Sequence, residues 1–243
     1  MKLSIIIPTY NHLHDCLIPC LNSLTEYCDL KDTEVIVVAH GCIDKTEETV
    51  LDSGFELISI DRPVGFAKAF EAGVEKSQRK YVMSLHNDVT FLQQPKNHVI
   101  ESLLREIEKN SFALVGTQKR YDSNIRRYYI PLYCAMFRKY ALERIGLGNN
   151  RNLNDFAGSS EEIAISARLV DHHFSIGQIG GNELLEGTPT PILHAGGVTS
   201  SKMHNYEYRL ARNAAVFRQK FRKPIKTSII VIPYNLEQLQ ATV

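Results

Sequence analysis

The sequence predicts an α/β domain built on a mostly parallel central sheet, and three observations support that prediction. Short apolar runs rich in β-branched residues alternate with segments of helical periodicity along the first 90 or so residues. The runs end at polar, Gly or Pro residues, as strands buried on both faces do. The spacing leaves room for one helix between successive strands, which favours right-handed crossovers and parallel pairing.

The predicted elements follow one another regularly in the first part of the chain and less regularly afterwards. The first part has strands at 3–7, 34–39, 55–60 and 81–85, with helices at 13–28, 44–51 and 65–77 between them. The second part has helices at 98–109, 139–145, 161–170 and 209–221, and strands at 113–117, 127–137 and 174–179. Ile163, Ala167 and Val170 are expected to face inward from their helix. Gly146 to Asn154 has turn residues without periodicity and is predicted to be a mobile loop.

Length and composition limit the classes of protein to consider. The 243 residues suffice for one large domain, which we favour over two small ones. A net charge of +1 argues against a nucleic-acid binder that works through global charge. The five cysteines are odd in number and form no CxxC pair, which favours free thiols in a reducing, cytoplasmic compartment. We see no signal-peptide pattern and no run of the roughly 18 apolar residues that a spanning helix needs.

Four loops are expected to meet at one edge of the sheet, because ligands of parallel α/β sheets bind beyond the carboxyl ends of the strands. The loops are residues 8–11, 39–42, 61–65 and 86–88. The last of them places His86, Asn87 and Asp88 directly after a predicted buried strand. These side chains can bind a metal or a phosphate, so this edge is the predicted functional site.

Six segments of the chain resemble, in order and spacing, the glycosyltransferase family 2 enzymes of the GT-A fold, particularly the rhamnosyltransferase-like members. They are SIIIPTYN at 4–11, EVIVVAHGCIDKT at 34–46, GFAKAFEAG at 65–73, LHNDV at 85–89, FAGSSEEIAISAR at 156–168 and PILHAGG at 191–197. The resemblance extends over about residues 2–222, nearly the whole chain. It implies a single GT-A domain.

The resemblance also implies an activity and a division of the domain. The activity is that of an inverting, metal-dependent hexosyltransferase, with a UDP- or dTDP-linked sugar as donor and a hydroxyl of a glycan or lipid-linked saccharide as acceptor. The GT-A domain is expected at 1–222, with a nucleotide-sugar half at 1–90, an acceptor half at 91–205 and a basic helix at 206–222. Residues 223–243 are expected to form a C-terminal extension.

The family's site residues fall on particular positions of this chain. The implied donor-binding residues are Pro8, Thr9, Tyr10, Asn11, His40, Arg62, Gly65, Lys68, His86 and Asn87. Asp88 and His194 are the implied ligands of Mn²⁺ or Mg²⁺. One carboxylate suffices when the donor diphosphate supplies further oxygens, so metal affinity without donor is expected to be weak. Glu162 is the implied general base, with Glu161 as its companion.

Several of these positions allow simpler interpretations. Asp88 could cap a turn, Glu162 could be part of an acidic first turn of a helix, and His194 could be a structural hydrogen-bonding residue. Gly73 is better explained by tight packing of its helix on the sheet than by ligand contact. The basic residues between 209 and 226 form either a solvated helix face or a peripheral contact with the inner face of an anionic membrane.

Three residues depart from the family's pattern, and they keep another class of function open. Ala39, Glu71 and Ala164 replace polar or acidic residues that the family usually has. A catalytically impaired module that binds a glycan or nucleotide is therefore an alternative. A nucleotidyltransferase is a weaker one, because residues 8–11 are not the Gly-rich, basic loop that it would need.

Overall fold

The computed structural model describes residues 3–123, 126–147, 161–179 and 191–196. The strands in these ranges are β1 (Leu3–Thr9), β2 (Thr33–His40), β3 (Glu56–Ile60), β4 (Tyr81–Leu85), β5 (Val89–Phe91), β6 (Leu114–Gly116), β7 (Arg120–Asp122), β8 (Arg127–Tyr129), β9 (Cys134–Arg138), β10 (Ile176–Gln178) and β11 (Ile192–His194). The helices are α1 (Ile18–Tyr27), α2 (Thr46–Asp52), α3 (Phe66–Lys76), α4 (His98–Lys109), α5 (Lys139–Arg144) and α6 (Glu161–Asp171). A π-helical stretch, Leu13–Leu17, leads into α1.

Seven strands form the central sheet, in the order β10-β6-β9-β4-β1-β2-β3. All neighbouring pairs are parallel except those of β9, which runs antiparallel to both β4 and β6. The predicted α/β class with a mostly parallel sheet is therefore confirmed. Two small antiparallel sheets, β5 with β11 and β7 with β8, lie beside the main one.

The first strand shows why the sheet is covered on both sides. Leu3, Ile5 and Ile7 pack into the core that includes α1 and α4, whereas Ile6 packs into the core that includes α3, α5 and α6. Side chains of a strand alternate between faces, so a continuous apolar run is what a doubly covered strand requires. Full burial of such side chains stabilises the fold by about 1.5–3 kcal/mol each.

Close approach of α3 to the sheet depends on a glycine. A Cβ built on Gly73 would lie 2.3 Å from Cγ2 of Ile6 in β1. That distance leaves no room for a side chain, which confirms the interpretation of Gly73 as a helix-to-sheet packing position.

The second half of the chain differs from the prediction in three ways. The strand predicted at 127–137 is two strands, β8 and β9, because the segment between them includes Pro131, which cannot donate a ladder hydrogen bond. The three-residue strands β5, β7 and β11 were not predicted, since they do not lie within a longer apolar or alternating run of the kind that marked the equally short β6 and β10. Val170 is 44% exposed rather than inward, and Leu169 takes its place in the core.

Several predictions fall wholly or mainly outside the described residues. These are the loop at 146–154 beyond Leu147, the basic helix at 206–222 and the extension at 223–243. They remain predictions, as do the division of the domain at 90 and 205. In the ranges that the structure describes, no helix combines the length and apolarity needed to cross a membrane.

Candidate active site

The predicted loops do meet at the carboxyl edge of the sheet. The side-chain amide of Asn87, after β4, donates to Oγ1 of Thr9 at the end of β1, at 2.9 Å. Asn11 accepts a hydrogen bond at 2.8 Å from the backbone N–H of Ile43, in the loop after β2. Pro8 lies inside buried β1, so it supports the edge from within the sheet.

Tyr10 and His40 form the first part of this edge, which we call the Tyr10 corner. Their rings stack with centroids 5.7 Å apart and planes 17° from parallel. His40 is only 5% exposed, and burial lowers its pKa to about 4, so the imidazole is neutral near pH 7. Its Nδ1 is buried without a hydrogen-bond partner. The corner is therefore an uncharged aromatic surface that a planar base can stack on.

The loop after β3 packs directly against the Tyr10 corner. Gly41 has φ +70°, and a Cβ there would lie 2.5 Å from Cδ of Pro63. Gly65, with φ 82°, precedes the first turn of α3. Arg62 and Lys68 are exposed on this loop and on α3. Both cations lie within three residues of Gly65, in the loop and the first helical turn that follow β3.

His86, Asp88 and His194 form the second part of the edge, which we call the Asp88 corner. Oδ1 of Asp88 lies 3.3 Å from Nε2 of His194 and 4.0 Å from Nδ1 of His86. One ligand atom from each residue lies within 4.8 Å of the other two. The ring of Tyr133 stacks on His194, with centroids 4.3 Å apart and planes 16° from parallel. The ring of Phe66 packs against His86, with centroids 4.9 Å apart.

Backbone pairing places His194 in this corner, although it lies over a hundred residues from Asp88 in the sequence. In the ladder of β5 and β11, His194 stands opposite Val89, the residue after Asp88. The N–H of Ala195 donates to the carbonyl of Asp88 at 3.1 Å. The register of a two-stranded ladder therefore decides which side chain faces the carboxylate.

The electrostatics of the Asp88 corner suit a divalent cation. Desolvation lowers the pKa of His86 to about 4 although Asp88 is near. Burial alone would raise the pKa of Asp88, but His194 and His86 hold it below its ordinary value. Oδ1 of Asp88 and Nε2 of His194 are buried and face each other without the geometry of a good hydrogen bond. An ionised carboxylate and imidazole lone pairs facing one small space are a fitting donor set for a metal ion.

Glu162 approaches the same corner from the first turn of α6. Its Oε2 accepts a long hydrogen bond, 3.5 Å, from the N–H of Leu132, the neighbour of Tyr133. Desolvation raises the pKa of Glu162, and the charge of Glu161 adds to the effect, while Leu132 and the nearby Arg120 oppose it. Glu161 is itself only 7% exposed. The predicted companion is thus a buried carboxylate and the predicted base a half-buried one, rather than a solvated first turn.

Tyr133 is the residue of this site that the sequence analysis missed. Its hydroxyl bonds Thr117 at 2.7 Å and Gln118 at 2.8 Å, which holds the ring against His194. No motif marks it, because it lies in the short connection between β8 and β9. His86, predicted as a donor contact, lies within the possible metal cluster instead of beside it.

The model of the family "Glycosyl transferase family 2" matches residues 4–170, which is more than half of the chain. The chain belongs to glycosyl transferase family 2. The match includes Asp88 and Glu162 but ends before His194. No curated protein matches this glycosyltransferase at a significant level. Its assignment to the rhamnosyltransferase-like members remains a prediction.

Solved structures with a similar fold include three glycosyltransferase-related proteins. A mannosyltransferase from Pyrobaculum calidifontis, in complex with GDP-Man and Mn²⁺, is 16% identical, with 72% of this chain and 53% of that chain covered and a TM-score of 0.59. GalNAc-T7 with UDP, GalNAc and Mn²⁺ is 11% identical, with coverages of 73% and 42% and a TM-score of 0.60. TarS of S. aureus in complex with UDP-GlcNAc is 16% identical, with coverages of 70% and 53% and a TM-score of 0.51.

These likenesses agree with the GT-A fold of the family. The chain aligns to only about half of the length of the solved chains that it matches. At such low identity the shared architecture is what the likeness shows, and donor, acceptor and metal belong to the proposal below.

Proposed function

We propose that this glycosyltransferase is an inverting, metal-dependent hexosyltransferase. It moves a sugar from a UDP- or dTDP-linked donor to a hydroxyl of a glycan or lipid-linked saccharide. One observation carries the proposal: the half-buried carboxylate of Glu162 and the Asp88 corner share the segment Leu132-Tyr133, through a hydrogen bond from Leu132 and a ring stack on Tyr133. Glycosyl transfer needs a base held in a fixed position relative to the site that binds the diphosphate, and this shared segment provides that.

The donor is proposed to lie along the carboxyl edge of the sheet. The base stacks at the Tyr10 corner, where Tyr10 and His40 present uncharged rings. The exposed Arg62 and Lys68 attract the diphosphate. Asp88 and His194 would hold Mn²⁺ or Mg²⁺, which when bound neutralises charge on the leaving diphosphate. In support, solved proteins of this fold are in complex with GDP-Man and Mn²⁺ or with UDP-GlcNAc.

Glu162 is proposed to act on the acceptor. The acceptor hydroxyl oxygen bonds to the anomeric carbon from the side opposite the diphosphate, so the configuration inverts. The bond from that carbon to the diphosphate oxygen breaks, and its electron pair leaves with the diphosphate. Glu162 takes the hydroxyl proton, a task for which a raised carboxyl pKa makes it a stronger base.

Replacing the base tests this proposal. Glu162→Gln keeps the size and the hydrogen bond from Leu132 but cannot accept the proton, so we expect turnover to fall roughly 10²–10⁴-fold. Glu101→Gln, at an exposed position of α4, is the matched control and should retain wild-type turnover. Transfer is measured as release of nucleoside diphosphate, and the anomeric configuration of the product by NMR. Wild-type turnover in Glu162→Gln, or a product of retained configuration, would refute the assignment.

The pH profile gives a second measurement on the same residue. The base works only when deprotonated, so kcat/KM should fall as the pH drops through the pKa of Glu162. Because that pKa is raised, the acid limb should lie above the ordinary Glu value of roughly 4.3. The residual activity of Glu162→Gln should lack this limb.

The non-catalytic alternative makes a different prediction. Ala39 and Ala164 are fully buried and offer no polar side chain to a ligand, which is the feature that favours a binding module. A binding module would show nucleotide-dependent thermal stabilisation but neither donor hydrolysis nor transfer with any acceptor. A panel of UDP-, dTDP- and GDP-sugars with Mn²⁺ separates the two functions.

A cytoplasmic location, with contact to the inner face of a membrane through residues 209–226, completes the proposal. The sequence supports it, since this segment combines basic and apolar residues. Flotation of the full chain with liposomes tests it. Failure to float with anionic liposomes, or equal flotation with neutral ones, would contradict the proposed contact with an anionic membrane.

A further inference from the structure

We infer that His86 is a third metal ligand, so that this chain builds a site of two histidines and one carboxylate. Such a site selects a first-row transition ion over Mg²⁺ and holds it before any nucleotide sugar arrives. The binding of the ion does not depend on the proposed function. Only the use of the ion in glycosyl transfer rests on it. It revises the expectation that metal affinity without donor is weak.

The spacing of the ligand atoms supports this assignment. Ligand atoms at neighbouring positions around an ion with bonds of about 2.1 Å lie about 3 to 3.4 Å apart. The 3.3 Å between Oδ1 of Asp88 and Nε2 of His194 already has this value. Nδ1 of His86, at 4.0 Å from the same oxygen, needs a closing movement of the ring of roughly 1 Å.

All three ligands are held in place by backbone hydrogen bonds. The N–H of His86 donates to the carbonyl of Tyr133 at 2.9 Å, and its own carbonyl accepts from Val89 at 3.2 Å. The carbonyl of Asp88 accepts from Ala195, next to His194, at 3.1 Å. Because strands and turns position the ligands, the site does not depend on a diphosphate to assemble it.

The ring of Tyr133 restricts the remaining freedom of His194. It stacks on the imidazole, and its hydroxyl is tied to Thr117 and Gln118. Meanwhile Oδ1 of Asp88 and Nε2 of His194 lie buried 3.3 Å from each other, without the geometry of a good hydrogen bond, and the side chain of Asp88 is 8% exposed. A buried polar pair that is poorly satisfied is costly, and a cation bound by both atoms would remove that cost.

The donor set decides which ion is bound. Mg²⁺ is a hard ion that prefers oxygen ligands and keeps several waters, whereas imidazole nitrogen suits Mn²⁺, Co²⁺ and Zn²⁺ increasingly well. Asn at position 86 would leave one nitrogen ligand instead of two. His86 is therefore the residue that moves this site from the magnesium class toward the transition metals.

Metal titration of untagged protein without nucleotide tests the inference. Wild-type protein should bind one Co²⁺, seen by its visible absorption, and one Mn²⁺, seen by calorimetry, with Mg²⁺ roughly a hundredfold weaker. His86→Asn should weaken Co²⁺ binding at least about tenfold and leave Mg²⁺ binding unchanged. His98→Asn, an exposed histidine at the start of α4, is the control and should bind as wild type does.

A second measurement needs no variant. X-ray absorption of the Co²⁺-loaded wild-type protein counts imidazole ligands and should give two. One imidazole, Co²⁺ binding by His86→Asn as tight as wild type, or equal affinity for Mg²⁺ and Mn²⁺ would overturn the inference. The proposed function fails separately: protein that binds Co²⁺ through two imidazoles yet transfers no sugar keeps the metal site and loses the activity.

Discussion

The Tyr10 corner and the Asp88 corner lie at one edge of the same sheet but are assembled in different ways. Tyr10 follows β1 and His40 is the last residue of β2, and the parallel pairing of these neighbouring strands brings their ends together. The Asp88 corner needs a strand end, a connection before β9 and a short antiparallel strand more than a hundred residues later. The first corner follows from the order of strands, whereas the second depends on a register.

The two corners also differ in charge. Both contain an imidazole whose pKa desolvation lowers to about 4. Only the Asp88 corner adds a carboxylate, and the histidines keep its pKa below the ordinary value. The comparison teaches that the proposed stacking surface and the proposed ion site are separate parts of one edge, so different mutations should affect each of them.

The largest effect should come from removing the carboxylate. Asp88→Asn keeps the shape but removes the charge, so we expect turnover to fall by at least roughly a hundredfold, about 3 kcal/mol of transition-state stabilisation. Binding of Mn²⁺ should be lost, while stacking of a nucleoside at the Tyr10 corner should persist. Asp52→Asn, exposed at the end of α2, is the control. Wild-type turnover and metal affinity in Asp88→Asn would contradict the assignment of metal binding to the Asp88 corner.

A substitution where α3 packs on β1 should affect stability instead of either corner. Gly73→Ala places a methyl group within 2.3 Å of Ile6, so we expect a loss of about 1–3 kcal/mol in the free energy of unfolding. Urea unfolding measures it, with Glu75→Ala on the exposed side of α3 as control. Equal stability of the two variants would show that α3 adjusts without cost.

The smallest effect should be confined to the Tyr10 corner. Tyr10→Leu removes the stacking face, and we expect nucleoside diphosphate affinity to fall about tenfold, or about 1.4 kcal/mol. Co²⁺ binding without nucleotide should not change. Calorimetry measures both, and Tyr140→Leu, at an exposed tyrosine of α5, serves as control. A loss of Co²⁺ affinity in Tyr10→Leu would show that the two corners do not act independently.

The predicted part of the site is the part that strand order controls. Residues 8–11, 39–42 and 86–88 were expected at one edge because parallel strands share a direction, and the bond between Asn87 and Thr9 joins two of these loops. The pairing of β5 with β11 and the position of Tyr133 were not foreseen. The short strands β5 and β11 do not lie within a longer apolar or alternating run, and the alternation over 127–137 predicted Tyr133 to lie in a strand rather than in the connection before β9.

By itself, the sequence determined the alternation of strands and helices, the covered sheet and the edge at which the candidate site lies, since these follow from side-chain periodicity and chain direction. The resemblance already paired Asp88 with His194, and only the tertiary structure decided that His86 shares their small space and that Tyr133 stacks on His194. The physical reason is range: periodicity acts within a few residues, whereas a metal-binding geometry depends on the register between segments that are distant in sequence.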